Sequence, residues 1–315
     1  MISIMEIPIR ERNLFYFDIT YRCMNDCITC PMKSKDTIDI NLYKLNKVIK
    51  YIKNIYNKKN SVAVVSGGEP LLHPNFIDII GTLSKVFDKI IVQTHLITHS
   101  TSNTKKILKE LVNTTVNNNI TLYIQVSIYG HDKESYYQWT RRLWFDKFNE
   151  TLIKLIHYCV NMGGSCFIEL RSVISNFLRN INEKKMMNYI IKILSITGAK
   201  NVINSIRFVR FNCLDKNKIY LKPQKEEEIE LLLSMLDFYI SLTNSIGILS
   251  PPQLRISSFS INEDKFLDQI ISEIRNKYNA IVEVVPYKGI IYYVGPYGNI
   301  RDPIEYEERY LRITI

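Results

Sequence analysis

The sequence predicts an α/β fold, in which a barrel is followed by a smaller C-terminal part. Strand-like apolar segments and helix-like amphipathic segments alternate six times in about the first two hundred residues, and such alternation is typical of a parallel sheet or barrel. After residue 211 this rhythm changes. A chain of 315 residues has room for a barrel and a small appendage. We therefore expect a partial (β/α)6 barrel of the TIM type at 1–215, with its core at 12–212, and a small α+β extension at 216–315.

Six segments are predicted as the strands of this barrel, and they lie at residues 14–20, 62–65, 89–94, 121–129, 166–174 and 202–211. The fourth strand is the most informative. Its even-numbered residues from Leu122 to Ile128 are aliphatic, whereas the intervening ones include Gln125 and Ser127. Because neighbouring residues of a strand point to opposite faces, we expect the aliphatic set to meet the helices and the polar set to line the barrel interior.

Between these strands, apolar residues recur at the spacing of amphipathic helices. The predicted helices lie at residues 41–57, 75–87, 103–115, 146–162 and 182–197. In the extension, two further helices are predicted at 224–243 and 262–278, with a break at Ser250-Pro251-Pro252 between them. Residues 280–303 are expected to form a β-hairpin that turns at Tyr287-Lys288-Gly289.

The composition is that of an ordinary globular protein, with 46% hydrophobic and 23% charged residues. There is no stretch of eighteen or more apolar residues, and the N-terminus lacks the pattern of a cleaved signal peptide. We therefore expect a cytoplasmic protein that has no membrane partner. Unpaired thiols also fit a reducing compartment.

The net charge of +10 has two interpretations. It could attract an acidic partner such as a nucleotide, a nucleic acid or an acidic peptide. Alternatively, it reflects a composition rich in lysine, asparagine and isoleucine. No run of five basic residues occurs, so we favour the second interpretation and regard nucleic acid as a less favoured partner.

Three of the six cysteines, Cys23, Cys27 and Cys30, lie within eight residues directly after the first predicted strand. An odd number of closely spaced thiols cannot all pair as disulfides. Thiolates are soft metal ligands, and iron–sulfur clusters are held by cysteines. A cubane has four irons, so three cysteines would leave one iron open. The alternatives are a structural zinc site with a distant fourth ligand, although such sites favour paired Cys-x2-Cys units, or free thiols.

A second motif, Gly67-Gly68-Glu69, follows the second predicted strand. Glycines at a strand end let the backbone approach a ligand closely, because no Cβ atom intervenes. Catalytic groups of β/α barrels lie at the C-terminal ends of the strands. The alternative is a tight loop before the helix that Pro70 begins.

The spacing Cys-x3-Cys-x2-Cys, followed one strand later by Gly-Gly-Glu, resembles the signature of the radical S-adenosylmethionine (SAM) superfamily. The resemblance implies one 4Fe–4S cluster on Cys23, Cys27 and Cys30, with SAM on the open iron. It also implies cleavage of SAM to a 5′-deoxyadenosyl radical that abstracts hydrogen from a substrate, and an electron donor such as a flavodoxin or ferredoxin. Thr29 stands where the family usually has an aromatic residue, which affects an expected adenine contact but not the cluster.

The resemblance also implies residues that bind SAM. The backbone of Gly67, Gly68 and Glu69 would receive the methionine amino group. His95 lies where the family often has an asparagine near the ribose, although it could instead line the barrel. Ser127 resembles a serine that hydrogen-bonds SAM.

Two arginines complete this predicted set. Arg141 resembles an arginine that pairs with the SAM carboxylate, with neighbouring Arg142 and a solvated side chain as alternatives. Arg171 is expected to point into the barrel, where it contacts a ligand or forms an ion pair with Glu169. We assign no catalytic residue beyond these cofactor and metal ligands.

The order of Ser127, Arg141 and the helix that follows resembles the SPASM/Twitch members of the superfamily. Their C-terminal extensions usually bind auxiliary clusters through further cysteines. No cysteine follows Cys213 here, so we expect a single cluster. Cys159 and Cys166 are expected in the core. This resemblance favours a peptide or small-metabolite substrate. An RNA- or nucleotide-modifying enzyme and a non-catalytic metal-binding paralogue are the alternatives.

Overall fold

The structure is a computed structural model, and it describes residues 13–28, 30, 38–55, 61–174, 183–210, 223–245, 253–259, 264–278, 281–296 and 304–314. Thr29, Cys213 and the break at Ser250-Pro251-Pro252 lie outside these residues, so the interpretations attached to them stay predictions.

Strands and helices alternate through the described part of the chain. The strands are β1 Asn13–Thr20, β2 Ser61–Gly67, β3 Lys89–Thr94, β4 Thr121–Ser127, β5 Cys166–Ile174, β6 Ile203–Arg210, β7 Gln253–Phe259, β8 Ile281–Val294 and β9 Ile304–Thr314. The helices are α1 Leu42–Ile55, α2 Phe76–Leu83, α3 Thr101–Asn117, α4 Lys133–Thr140, α5 Phe145–Asn161, α6 Glu183–Leu194, α7 Ala199–Val202, α8 Lys225–Ser245 and α9 Asp264–Tyr278.

Strands β1 to β6 are parallel and lie side by side in chain order, which confirms the predicted partial (β/α)6 barrel. These six strands do not close on themselves. Strand β7 adds parallel to β6, β9 runs antiparallel to β7, and β8 pairs with both β9 and β1. The strands of the predicted extension therefore complete the ring of the same sheet.

The predicted position of the hairpin turn is wrong. Residues Tyr287-Lys288-Gly289 lie inside β8, where they pair with Glu308, Glu307 and Tyr306 of β9. A glycine beside a lysine resembles a turn in sequence, but Gly289 is also compatible with a paired strand. The hairpin consists of β8 and β9.

The alternation predicted for β4 is confirmed. Leu122, Ile124 and Val126 are fully buried in the hydrophobic core between the sheet and the helices. On the other face, the Gln125 amide accepts a hydrogen bond from Gln93 (2.8 Å) and donates one to Glu169 (2.9 Å). The barrel interior is therefore polar, and its hydrogen bonds run from strand to strand.

Cys159 of α5 and Cys166 of β5 are fully buried, as predicted for core residues. Their sulfur atoms lie within bonding distance of each other, a contact that the sequence does not predict. This contact joins α5 to the strand that follows it.

Among the described helices, none is long and apolar enough to cross a lipid bilayer.

Candidate cofactor site

The cluster loop, defined as residues 21–30, leaves the C-terminal end of β1 and carries the three cysteines. On one side it is held by the end of β2, because the Gly68 amide donates to the Thr20 carbonyl (2.7 Å) and the Glu69 amide donates to the Arg22 carbonyl (2.7 Å). The Arg22 guanidinium also pairs with Asp39 at 2.8 Å. The two sequence motifs therefore contact each other directly.

The other side of the cluster loop is held by the end of α4. The Asp26 amide donates to the Thr140 carbonyl (2.9 Å), and the Ile28 amide donates to the Trp139 carbonyl (3.0 Å). The Arg142 guanidinium donates to the Met24 carbonyl (3.0 Å). Carbonyl groups at the end of a helix lack partners within the helix. The Asp26 and Ile28 amides supply those partners, and the backbone on both sides of Cys27 is fixed as a result.

Cys23, Cys27 and Cys30 take part in no disulfide bond among the described residues. Burial raises the pKa of the Cys23 thiol to about 12, and Glu69 and Cys30 reinforce the shift. Burial also raises the pKa of Cys27, to which Cys23 and Cys30 contribute. Cys23 and Cys27 therefore keep their protons at neutral pH until a metal replaces them, as expected when metal binding releases protons from cysteine ligands.

The described part of the chain contains no group of three or more His, Cys, Asp or Glu side chains placed to hold one metal ion. A cubane cluster does not need that arrangement, because each cysteine binds a different iron. The three soft donors therefore fit a cluster of this kind.

The absence of side chains at Gly67 and Gly68 serves the cluster loop. A Cβ atom on Gly68 would lie 2.2 Å from the Arg22 carbonyl oxygen, and one on Gly67 would lie 2.3 Å from that of Thr20. Gly67 also has a φ of +121°, which side-chain-bearing residues rarely adopt. The close approach inferred from the sequence is thus made by the backbone of the cluster loop itself.

The Glu69 carboxylate is fully buried (0% exposed) and is held by several donors. It accepts hydrogen bonds from the Thr94 hydroxyl (2.7 Å), the His95 amide (2.8 Å) and the Leu71 amide (3.1 Å). These contacts connect the ends of β2 and β3. The side chain of Glu69 therefore joins these two strand ends, whereas the contact of its backbone with SAM stays a prediction.

His95 is 5% exposed, and its ring lies between Glu69 and the cluster loop. Its Nδ1 atom is 3.2 Å from Glu69 Oε2, and its Nε2 atom is 3.2 Å from Cys23 Sγ. Burial lowers the pKa of His95, against the opposing effect of Glu69. The predicted contact with the ribose is untested, whereas the contact with Cys23 could not be anticipated across 72 residues of sequence.

The rings of Tyr129, Tyr136 and Trp139 form an aromatic cluster beside the cluster loop. The Tyr129 hydroxyl hydrogen-bonds Cys27, and the Tyr129 ring stacks on Trp139 with 6.0 Å between ring centroids. Tyr136 is fully buried, and its ring centroid lies 6.5 Å from that of Tyr129. These rings support the cluster loop from the barrel side.

Ser127 and Arg171 are paired residues on β4 and β5, as expected for two side chains at one level of the barrel. Glu169, the acidic partner considered for Arg171, lies 3.8 Å from the Arg207 guanidinium and accepts a hydrogen bond from Ser205 (2.9 Å). Burial and the neighbouring Arg207 lower the pKa of Arg171, which remains a cation beside another cation.

Arg141 is exposed and ends α4 in the left-handed conformation, with φ at 58°. Of the two arginines left open by the sequence, Arg142 is the one that contacts the cluster loop. The contact of Arg141 with SAM stays a prediction.

No curated protein matches the chain. Among solved structures, SuiB from Streptococcus suis bound to precursor peptide SuiA is 11% identical over 92% of this chain and 59% of its own, with a TM-score of 0.58. SuiB bound to S-adenosylmethionine is 13% identical over 92% of this chain and 60% of its own, with a TM-score of 0.57. Native anSMEcpe with bound AdoMet and Kp18Cys peptide is 16% identical over 75% of this chain and 62% of its own, with a TM-score of 0.53. At these identities the similarity is one of fold.

The chain spans about 60% of the length of the SuiB structures that it matches. A family model described as the radical SAM superfamily matches residues 17–188, which is more than half of the chain and includes all three cysteines of the cluster loop. Together with the partial barrel and the three cysteines on that loop, this match confirms the resemblance stated from the motifs: the chain belongs to the radical SAM superfamily of enzymes.

Proposed function

We propose that the protein binds one 4Fe–4S cluster through Cys23, Cys27 and Cys30, binds SAM beside it, and abstracts hydrogen from a peptide or small-metabolite substrate. The observation that carries this proposal is the cluster loop, which bears three cysteines outside any disulfide and whose backbone is held by the Gly67-Gly68-Glu69 motif on one side and by α4 on the other. When bound, the cluster and SAM together supply a 5′-deoxyadenosyl radical. The remaining task of the chain is to position the substrate and exclude water.

The residues around the cluster loop suggest how SAM is held. Gly67, Gly68 and Glu69 offer backbone groups at the end of β2, next to the loop that they support. We further propose contacts with SAM from three side chains near the strand ends and α4: His95, Ser127 and Arg141.

The position of Arg171 favours a polar ligand inside the barrel. It is half-buried on β5, and its neighbour Arg207 adds a second positive charge. Because two adjacent, partly buried cations are stabilised by an anionic group, we propose that Arg171 contacts a carboxylate, with that of SAM as the first candidate.

A peptide is the substrate class with the most support. SuiB was solved with the precursor peptide SuiA, and anSMEcpe with the Kp18Cys peptide. Both resemble this chain in fold, and the polar barrel interior formed by Gln93, Gln125 and Glu169 suits the backbone groups of an extended chain. We also propose a reducing compartment, the cytoplasm, because the three thiols must stay free to bind iron.

The proposal is tested by anaerobic reconstitution with iron and sulfide, followed by addition of SAM and dithionite. We expect 5′-deoxyadenosine from the wild-type protein and none from Cys27→Ala. Absence of this product from both proteins, despite a full complement of iron, would contradict the proposal and favour a non-catalytic metal-binding role.

A further inference from the structure

A basic and apolar surface patch lies beside the cluster loop and contacts it through Arg142. This patch, here named the α4–α5 patch, consists of Arg141, Arg142, Leu143, Trp144 and Lys147. Leu143 is 75% exposed, and the two arginines and Lys147 are also exposed. The Arg142 guanidinium and the Lys147 ammonium each lie 5.7 Å from the centre of the Trp144 ring. The patch therefore has an apolar centre with cations at its edge.

The α4–α5 patch is connected to the cluster ligands by short links. Arg142 hydrogen-bonds the carbonyl of Met24, the residue after Cys23. Thr140, directly before the patch, bonds the amide of Asp26, the residue before Cys27. A protein seated on the patch would thus be one layer of side chains away from the cluster loop.

The acidic residues near the α4–α5 patch are largely neutralised by other partners. Asp146 pairs with Lys133 at 2.7 Å, and Glu150 pairs with Lys105. Asp26 is the exposed carboxylate on the neighbouring part of the cluster loop. The patch therefore presents a positive surface, which complements an acidic partner.

We propose that the α4–α5 patch docks a small acidic redox protein of the flavodoxin class, which delivers the electron that the enzyme needs. This inference rests on the proposed function. In the step, the anionic flavin hydroquinone would lose one electron and become the neutral semiquinone, and the electron would pass to the cluster that Cys23, Cys27 and Cys30 would hold. No covalent bond forms or breaks, and no proton is transferred. An exposed apolar centre with a charged rim is typical of small, transient redox interfaces.

A second surface provides a matched comparison. On α1, Tyr43 is 67% exposed, and the Lys47 ammonium lies 4.5 Å from the centre of its ring. This pair has the same chemistry as Leu143 and Lys147, an exposed apolar group beside a lysine. However, the described contacts between this region and the cluster loop are made by Ile38 and Asp39, which precede the helix, with Tyr21 and Arg22.

The test compares Leu143→Glu/Lys147→Glu with Tyr43→Glu/Lys47→Glu, two double variants with the same change in formal charge. Reduction of the reconstituted cluster is followed by the loss of its visible absorbance, with hydroquinone flavodoxin or dithionite as the reductant. We expect the first variant to lower the flavodoxin rate constant roughly tenfold or more at low ionic strength, because charge reversal removes electrostatic steering. The second variant should match the wild type, and neither should alter the dithionite rate.

Three results would overturn the inference. The first is an unchanged flavodoxin rate in Leu143→Glu/Lys147→Glu, and the second is a larger loss in the α1 variant, which would place the donor there. The third is an equal loss with dithionite, which would mean that the patch supports the cluster loop rather than a partner. Failure of the proposed function looks different, because wild-type protein would then yield no 5′-deoxyadenosine with either reductant.

Discussion

The substitution Gly68→Ala tests whether the Gly-Gly-Glu motif holds the cluster loop. The new Cβ atom would lie 2.2 Å from the Arg22 carbonyl oxygen, whereas ordinary contacts begin at 3.4 Å. The two backbones must therefore separate by about 1.2 Å. The hydrogen bonds of 2.7 Å that Gly68 and Glu69 donate to the cluster loop would then exceed the range of hydrogen bonding.

The expected cost of Gly68→Ala follows from these contacts. Two backbone hydrogen bonds contribute about 1 kcal/mol each, and steric overlap adds roughly 1–3 kcal/mol, so we expect a loss of about 3–5 kcal/mol in the free energy of unfolding. Gly81→Ala is the matched control, since Gly81 lies in α2 and its Cβ would meet no atom within 4 Å. That change should stabilise the protein by about 0.5–1 kcal/mol.

Urea unfolding of the metal-free protein measures these free energies, and iron analysis after reconstitution measures the effect on the cluster site. Gly68→Ala should unfold at lower urea and bind less iron, while Gly81→Ala should retain wild-type iron. If Gly68→Ala kept both the wild-type midpoint and its iron, the motif would not be holding the cluster loop.

Two further substitutions test buried groups around the site. Glu69→Gln replaces the carboxylate oxygen that accepts from the His95 backbone N–H with an NH2 group, which cannot accept. We expect the free energy of unfolding, measured with urea, to fall by roughly 1–3 kcal/mol. A urea midpoint equal to that of the wild type would contradict this. The Nδ1 atom of His73 accepts a hydrogen bond from the Asn75 amide, and its Nε2 atom lies 3.1 Å from the Ile40 carbonyl oxygen, so the neutral ring fits these partners. Burial lowers the pKa of His73. Because the unfolded state takes up the proton first, wild-type stability should fall below about pH 6.5, by at most about 1.4 kcal/mol per pH unit from this group. His73→Gln should show a shallower fall, and equal slopes in the two proteins would exclude this role for His73.

Much of the fold could be predicted because its signals are local. Apolar runs and period-two alternation predict β1 to β6, since parallel strands are buried on the helical face. Strand β7 escaped prediction because Gln253, Arg255 and Ser257 interrupt its apolar pattern. Strand β9 likewise carries charges such as Glu305 and Arg309, and its place in the sheet depends on pairing with β8 and β7.

The candidate site also has a part that could be predicted from the sequence and a part that could not. The three cysteines and the Gly-Gly-Glu motif are each contiguous in sequence, so their chemistry can be inferred from spacing alone. The contact between His95 and Cys23, and that between Arg142 and Met24, join residues 72 and 118 positions apart. Such contacts depend on how the strand ends meet at the mouth of the barrel, and a single sequence carries no signal of them.

The most direct test of the central claim is an electron paramagnetic resonance spectrum of the anaerobically reconstituted, dithionite-reduced protein, recorded before and after addition of SAM. We expect the signal of one reduced 4Fe–4S cluster, a change in that signal when SAM is added, and no such signal from Cys27→Ala. A protein that holds zinc or no metal at Cys23, Cys27 and Cys30, or a cluster whose signal ignores SAM, would contradict the account.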